Sequence, residues 1–120
     1  MEHALSAYYD ITHGIGLAII TPRWMRHILS EKTMPRFVKY GVNVFGIDSS
    51  LPPQEIAEKA IQATYDFFVS IGIPMTLREV GIDETRIDEM AKHVADNEGL
   101  DEAWAPLSQS DIAAIFRASL

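Results

Sequence analysis

Apolar side chains recur along most of the chain at the three- and four-residue spacing of amphipathic α-helices. The clearest run covers residues 53–71, where charged and amide side chains fill the intervening positions. Pro53 suits the first turn of a helix, and Gly72 and Pro74 suit its end. The positions that we expect on its apolar face are Ile56, Ala60, Ile61, Ala63, Thr64, Phe67, Phe68 and Ile71.

Shorter runs predict further helices over residues 35–46, from Asp83 to about residue 94, and over 108–120. Asp83 has the side chain of an N-cap, because a short carboxylate can accept from the free N–H groups of a first turn. No segment alternates apolar and polar residues strongly enough to predict a strand. The fold class predicted is therefore all-α, with residues 1–120 forming a single helical domain.

Two signals concern the C-terminal quarter of the chain. Ser108 and Asp111 have the spacing of a capping box, although Asp is shorter than the usual Glu at the second position. Residues 97–106 form an acidic loop that carries Trp104, which we expect to be exposed. This tryptophan is suited either to a substrate entrance or to a protein contact.

Residues 14–20 are apolar on every side of a helix, which predicts a buried central element. Gly14 and Gly16 invite comparison with a dinucleotide fingerprint, but Ile19 stands where the third glycine would be and no strand precedes the run. We therefore expect close packing at both glycines instead of a nucleotide loop. Pro22 is expected to kink the helix or to restart it.

Charge and composition exclude several kinds of partner. The net charge of −7 argues against nucleic acid, because phosphate binding needs clustered Lys and Arg. The chain has no cysteine, which leaves histidine and carboxylate as metal ligands. No apolar run approaches the ~20 residues of a membrane span, and no export signal precedes the first helix. These features predict a cytoplasmic protein without membrane contacts.

The N-terminal stretch holds the strongest candidate chemistry, in His3 and His13. At about 100° per residue, ten positions would place the two imidazoles roughly 80° apart on one helix. The side chains converge only if the chain turns between them. Asp10 and Thr12 allow such a turn, since both residue types favour helix caps over helix interiors.

The run from His3 to Gly14 resembles the histidine signature of the iron-containing, NAD(P)-dependent alcohol dehydrogenases, in particular their butanol dehydrogenase branch. That signature reads His-x-x-x-His, nine further residues, then His-Gly. His3 and His13 match its second and third histidines, so we expect Met1 to be an internal methionine of a longer protein. Less specific similarity to the C-terminal half of the family covers residues 18–25, 73–82 and 108–120.

The resemblance implies the helical C-terminal domain of a dehydroquinate synthase-like, iron-containing alcohol dehydrogenase fold, without the N-terminal nucleotide-binding domain. It implies that His13 is a ligand of Fe²⁺ or Zn²⁺, with an aspartate and two further histidines supplied by earlier residues. His3 would lie near the nicotinamide and the substrate, as a catalytic residue able to relay a proton. The whole protein would use NAD or NADP on a small alcohol or aldehyde and form a homo-oligomer. The isolated chain is expected to be inactive, without tightly bound cofactors.

Three alternatives remain open on the residues alone. His13 could merely cap the start of a helix. The chain could be a free-standing helical interaction module that uses residues 14–20 to pair with a partner. A self-contained histidine site could use His27 and His93 as well, but their spacing does not converge them and we expect both at the surface.

Overall fold

The computed structural model describes residues 1–120, which form six α-helices and three short 3₁₀ turns with no strand. The predicted all-α class is therefore confirmed. The helices are α1 (Glu2–Tyr9), α2 (His13–Ile28), α3 (Met34–Phe45), α4 (Pro53–Ser70), α5 (Ile87–Asn97) and α6 (Gln109–Ala118). The 3₁₀ turns are Arg78–Val80, Glu84–Arg86 and Leu100–Glu102.

Helix α2 is the central element, as its composition predicts. It packs against α1, α4 and α6, and Ile19 and Ile20 lie in the hydrophobic core. The expected burial on every side is wrong at Leu17, which is 44% exposed. Gly14 is exposed as well, so the neighbouring helices cover only part of this run.

Pro22 lies inside α2, which continues through it, so of the two expected outcomes the helix does not restart here. A proline in a helix interior cannot donate the usual backbone hydrogen bond. The carbonyl that loses this donor belongs to Ala18, and side chains bind the carbonyls on either side of it: Thr21 Oγ1 donates to the Leu17 carbonyl at 2.7 Å. Arg23 donates to the Ile19 carbonyl at 3.0 Å. Pro22 itself is buried, so apolar packing also holds the helix through this point.

Helices α3 and α4 form a closely packed pair. A Cβ atom added to Gly41 would lie 3.0 Å from Cγ2 of Ile56 and 3.1 Å from Cβ of Ala60. The absence of a side chain at Gly41 therefore allows the two backbones to approach. Tyr40 and Thr64 join the same pair through a 2.8 Å hydrogen bond between their hydroxyl groups.

The apolar face predicted for α4 is correct over its first turns and wrong at its end. Ile56 and Ile61 are buried, whereas Phe67 and Ile71 are 54% and 56% exposed. Periodicity identifies one side of a helix, but no neighbouring element covers that side of the last turns.

The cap predicted at Asp83 is present but serves a different element. Its carboxylate accepts from the Thr85 N–H at 2.9 Å and caps the 3₁₀ turn that precedes α5. Ser108 and Asp111 form the predicted capping box at the start of α6. Helices α5 and α6 then pack together over the core side chains of Met90, Val94, Ile112 and Phe116. None of the helices is long and apolar enough to cross a membrane.

Candidate metal centre

The turn predicted between His3 and His13 is present at Asp10 and Thr12. Asp10 ends α1 in the left-handed conformation, at φ 52°, and its N–H donates to the Ser6 carbonyl. Thr12 is extended and forms the N-cap of α2, so His13 is the first residue of that helix. The chain reverses here, which returns His13 to the beginning of α1.

As a result the two imidazoles meet face to face. The ring centroids of His3 and His13 are 5.3 Å apart and the ring planes differ by 11°. The lone pair of an imidazole nitrogen lies in the plane of its ring. Two near-parallel, stacked rings therefore direct their lone pairs into separate planes, which disfavours one ion held by both rings at ordinary metal–nitrogen distances of about 2.0–2.1 Å.

A carboxylate completes the group. Glu2 offers an oxygen that lies within 4.8 Å of ligand atoms of His3 and His13. The two histidines are exposed, whereas Glu2 is only 5% exposed. The carboxylate of the cluster is therefore buried, whereas the two imidazoles face solvent, from where a ligand can approach.

Both oxygens of the Glu2 carboxylate have defined surroundings. The Ser6 hydroxyl donates to Oε1 at 2.5 Å, one helical turn further along α1. Oε2 is buried without a hydrogen bond of regular geometry, and it contacts Nδ1 of His13. The imidazole of His13 is therefore the group that can offer Oε2 a positively polarised hydrogen.

Gly16 provides the space for this carboxylate. A Cβ atom at Gly16 would lie 2.6 Å from Oε1 of Glu2 and 2.8 Å from its Cγ. The close packing predicted at this glycine is confirmed, although its neighbour is a side chain. The matching expectation for Gly14 is wrong, because an added Cβ there would meet nothing within 4 Å.

Histidine nitrogen and carboxylate oxygen form a donor set that divalent iron and zinc both accept. Oε2 is buried without a hydrogen bond of regular geometry, so a positively charged group or an N–H donor beside it would be favourable. The residues present therefore fit a metal centre in which His13 is one ligand and further ligands come from other residues.

The sequence did not indicate Glu2 and Ser6, and it predicted close packing at Gly16 without naming the partner. The spacing of four residues between Glu2 and Ser6 was the available signal, because it places both on one side of α1. Nothing in the sequence pairs Gly16 with Glu2, since the contact depends on how α1 folds back on α2.

An apolar groove adjoins the cluster. Its volume is about 460 Å³, and Glu2 contributes to its wall. Trp104 is 48% exposed, as predicted, and lies in this groove. The other residues that line it are Met1, Leu17, Ile20, Thr21, Trp24, Leu100, Ala103, Ala105 and Leu107.

His27 and His93 lie at the surface, as expected, and do not join the cluster. His27 has a partner that the sequence did not indicate: its Nε2 atom lies 2.9 Å from Oδ1 of Asp111. Hydrogen bonds from Ser108, followed by the one with His27, lower the pKa of Asp111 to about 2. His93 contacts the ring of Tyr8 edge-on, with 6.0 Å between centroids. Both histidines therefore have local structural partners.

Comparison with known proteins gives consistent matches over the whole chain. A family model described as "Fe-containing alcohol dehydrogenase family, C-terminal" matches residues 1–120. NADH-dependent butanol dehydrogenase A of Clostridium acetobutylicum is 50% identical over 120 residues, which cover 99% of this chain and 31% of that protein. NADH-dependent butanol dehydrogenase B of the same organism is 51% identical, over 100% of this chain and 31% of that protein.

The fold agrees with these matches. A crystal structure of 1,3-propanediol oxidoreductase superimposes with a TM-score of 0.87 at 31% identity, covering 99% of this chain and 31% of that one. The chain thus spans about a third of the length of these relatives. It belongs to the Fe-containing alcohol dehydrogenase family and corresponds to the C-terminal region of its members.

Proposed function

We propose that this chain is the C-terminal part of a metal-dependent, NAD(P)H-linked alcohol dehydrogenase that interconverts primary alcohols and aldehydes. The observation that carries the proposal is the cluster of Glu2, His3 and His13, which α1 and α2 bring together. The half-identical relatives are named for butanol and NADH, which makes a short primary alcohol the first substrate to test.

His13 is the proposed metal ligand. Its side chain is 54% exposed, so it can reach an ion held jointly with residues outside this domain. When bound, Fe²⁺ or Zn²⁺ would supply Lewis acidity toward the oxygen of the alcohol or aldehyde. We assign His3 a different role, because its ring stacks on that of His13 and its nitrogen lone pair lies in a separate plane.

His3 is the proposed catalytic residue for proton movement. It is exposed beside His13, and a neutral imidazole has one nitrogen that accepts a proton and one that donates. It can therefore accept a proton from an alcohol hydroxyl or return one to the product oxygen. The apolar groove next to Glu2 would form a hydrophobic wall for the carbon chain of the substrate and exclude water from it.

The remaining parts of the reaction belong to the rest of such an enzyme. We infer that an N-terminal nucleotide-binding domain provides the NAD or NADP site, and that residues preceding this segment supply the other metal ligands. The 120-residue chain by itself is then inactive. The complete enzyme is proposed to be a homo-oligomer.

A chimera tests the function directly. Residues 1–120 replace the matching segment of C. acetobutylicum butanol dehydrogenase A, which is possible because the match covers 99% of this chain. We expect the chimera to oxidise NADH with butanal when loaded with Fe²⁺ or Zn²⁺. His13→Ala should remove both the metal and the activity, while His93→Ala should keep both. A folded chimera whose metal content and activity survive His13→Ala would overturn the proposal.

The alternative is a helical interaction module without catalytic activity, which the exposed apolar groove favours. Under that alternative a folded chimera would lack activity with every alcohol and aldehyde. The 120-residue chain would instead form a defined complex through Trp104 and Leu17, measurable by analytical ultracentrifugation.

A further inference from the structure

We propose that Glu2 is a positioning residue for His13: its buried carboxylate holds the proton of the imidazole on Nδ1 and so leaves Nε2 as the metal-binding nitrogen. This inference rests on the proposed function, since it concerns the residue assigned there as a ligand. It assigns a role to Glu2, Ser6 and Gly16, which together make up the support of the imidazole.

The burial of Glu2 calls for a compensating partner. A carboxylate that is only 5% exposed loses most of its hydration, and such a group is costly unless it is paired or hydrogen-bonded. Ser6 satisfies Oε1 at 2.5 Å. Nδ1 of His13 contacts the remaining oxygen, Oε2.

The contact between Oε2 and Nδ1 determines which imidazole nitrogen carries the proton. An ionised carboxylate can only accept hydrogen bonds. The contact is therefore attractive only when Nδ1 bears a hydrogen, and a neutral imidazole then has its lone pair on Nε2. Direct contact also leaves no room for an ion between Oε2 and Nδ1. Metal-binding histidines commonly donate their other ring N–H to a carboxylate, which fixes the tautomer and the orientation of the ring in this way.

Gly16 makes the arrangement possible. Its missing Cβ atom would overlap Oε1 and Cγ of Glu2, at 2.6 and 2.8 Å. These atoms belong to a flexible side chain, so an alanine at this position would push the carboxylate away while leaving every charge in place. Gly14 lies two residues earlier in the same helix and has open space around it. Gly14→Ala is therefore a matched control, because it changes helix propensity in the same way as Gly16→Ala without contacting the carboxylate.

The tautomer of His13 can be measured on the metal-free 120-residue chain by long-range ¹H–¹⁵N NMR, at a pH where the imidazole is neutral. We expect a protonated Nδ1 and a bare Nε2 in the wild type. Glu2→Ala and Gly16→Ala should both shift the ¹⁵N pair toward the mixed tautomers of a free imidazole, and Gly14→Ala should not. A bare Nδ1 in the wild type, or an unchanged pair in Glu2→Ala, would overturn the proposal.

A titration of the same samples with Zn²⁺ adds a second readout. The Glu2→Ala and Gly16→Ala chains should need about 10–100-fold more Zn²⁺ to shift the His13 resonances, whereas Gly14→Ala should titrate as the wild type. Equal midpoints in all four chains would also contradict the positioning role.

The two proposals fail separately. If His13→Ala leaves the metal content of the chimera unchanged while the tautomer of the 120-residue chain responds to Glu2→Ala, the metal function fails and the carboxylate contact stands. If Zn²⁺ binds through His13 but Glu2→Ala leaves the tautomer of His13 unchanged, the positioning role fails and the metal function stands.

Discussion

The rings of His3 and His13 stack with their centroids 5.3 Å apart and their planes inclined by 11°. They come from two different helices, which meet at the turn containing Asp10. Near-parallel rings place their lone pairs in separate planes, which disfavours one ion held by both rings. This geometry leads to the first prediction.

His13→Ala and His3→Ala should have different effects in the butanol dehydrogenase chimera. His13→Ala should release the metal, measurable by elemental analysis of the purified protein. His3→Ala should keep the metal content but lower kcat by about 10²–10⁴-fold, the usual contribution of a positioned acid–base group. Loss of metal in His3→Ala, with unchanged metal in His13→Ala, would reverse the assignment.

The turn at Asp10 should tolerate glycine and resist β-branched residues. Its φ of 52° lies in the left-handed region, where a residue with a Cβ atom costs roughly 1–2 kcal/mol and Asp is tolerated better than most. Asp10→Gly should therefore change the free energy of unfolding by less than about 0.5 kcal/mol, whereas Asp10→Val should lower it by about 1–2 kcal/mol. Urea denaturation of the two variants checks this, and equal stability would contradict it.

The capping box of α6 should give the chain a defined acid sensitivity. Hydrogen bonds from Ser108, and then the one with His27, lower the pKa of Asp111 from 3.8 to about 2. Because the folded-state pKa is the lower one, this stabilisation is complete above about pH 4 and disappears as the pH falls to about 2. Its size should be about 1 kcal/mol, within the range of helix caps, because a side chain that is 39% exposed is screened by solvent.

Asp111→Ala tests this expectation. The variant should be less stable than the wild type at pH 7, and the two denaturation curves should converge near pH 2. Asp101→Ala is the control, since Asp101 is an exposed carboxylate that makes no ion pair or side-chain hydrogen bond. A difference between Asp111→Ala and the wild type that stays constant from pH 7 to pH 2 would contradict the assignment.

Filling the close contact between α3 and α4 should destabilise the fold. A Cβ atom at Gly41 would already lie 3.0 Å from Cγ2 of Ile56, so Gly41→Leu should lower the free energy of unfolding by about 1–3 kcal/mol. Val44→Leu places the same side chain at a site on α3 that is 62% exposed. It should change stability by less than about 0.5 kcal/mol. Thermal denaturation of both variants measures the difference, and equal losses would argue against close packing at Gly41.

Signals in the sequence were reliable where they depended only on residues that are close together along the chain. The 3.6-residue period located α4 from Pro53 onward, and the Ser108 and Asp111 spacing located the cap of α6. Signals were less reliable where they depended on which other helices pack against an element. Phe67 follows the apolar period and is nevertheless exposed, because periodicity cannot show whether another helix covers that side.

For the candidate site, the sequence determined the two histidines, the turn residues between them and the family signature that they carry. The tertiary structure alone decided that Glu2 is buried against His13, that Gly16 makes room for its carboxylate, and that the imidazoles stack. The physical reason is that these contacts depend on the angle between α1 and α2 and on side-chain packing across their interface. The order of residue types along the chain predicts the caps and the apolar period of each helix. The distance between atoms on two different helices is fixed only when the helices pack.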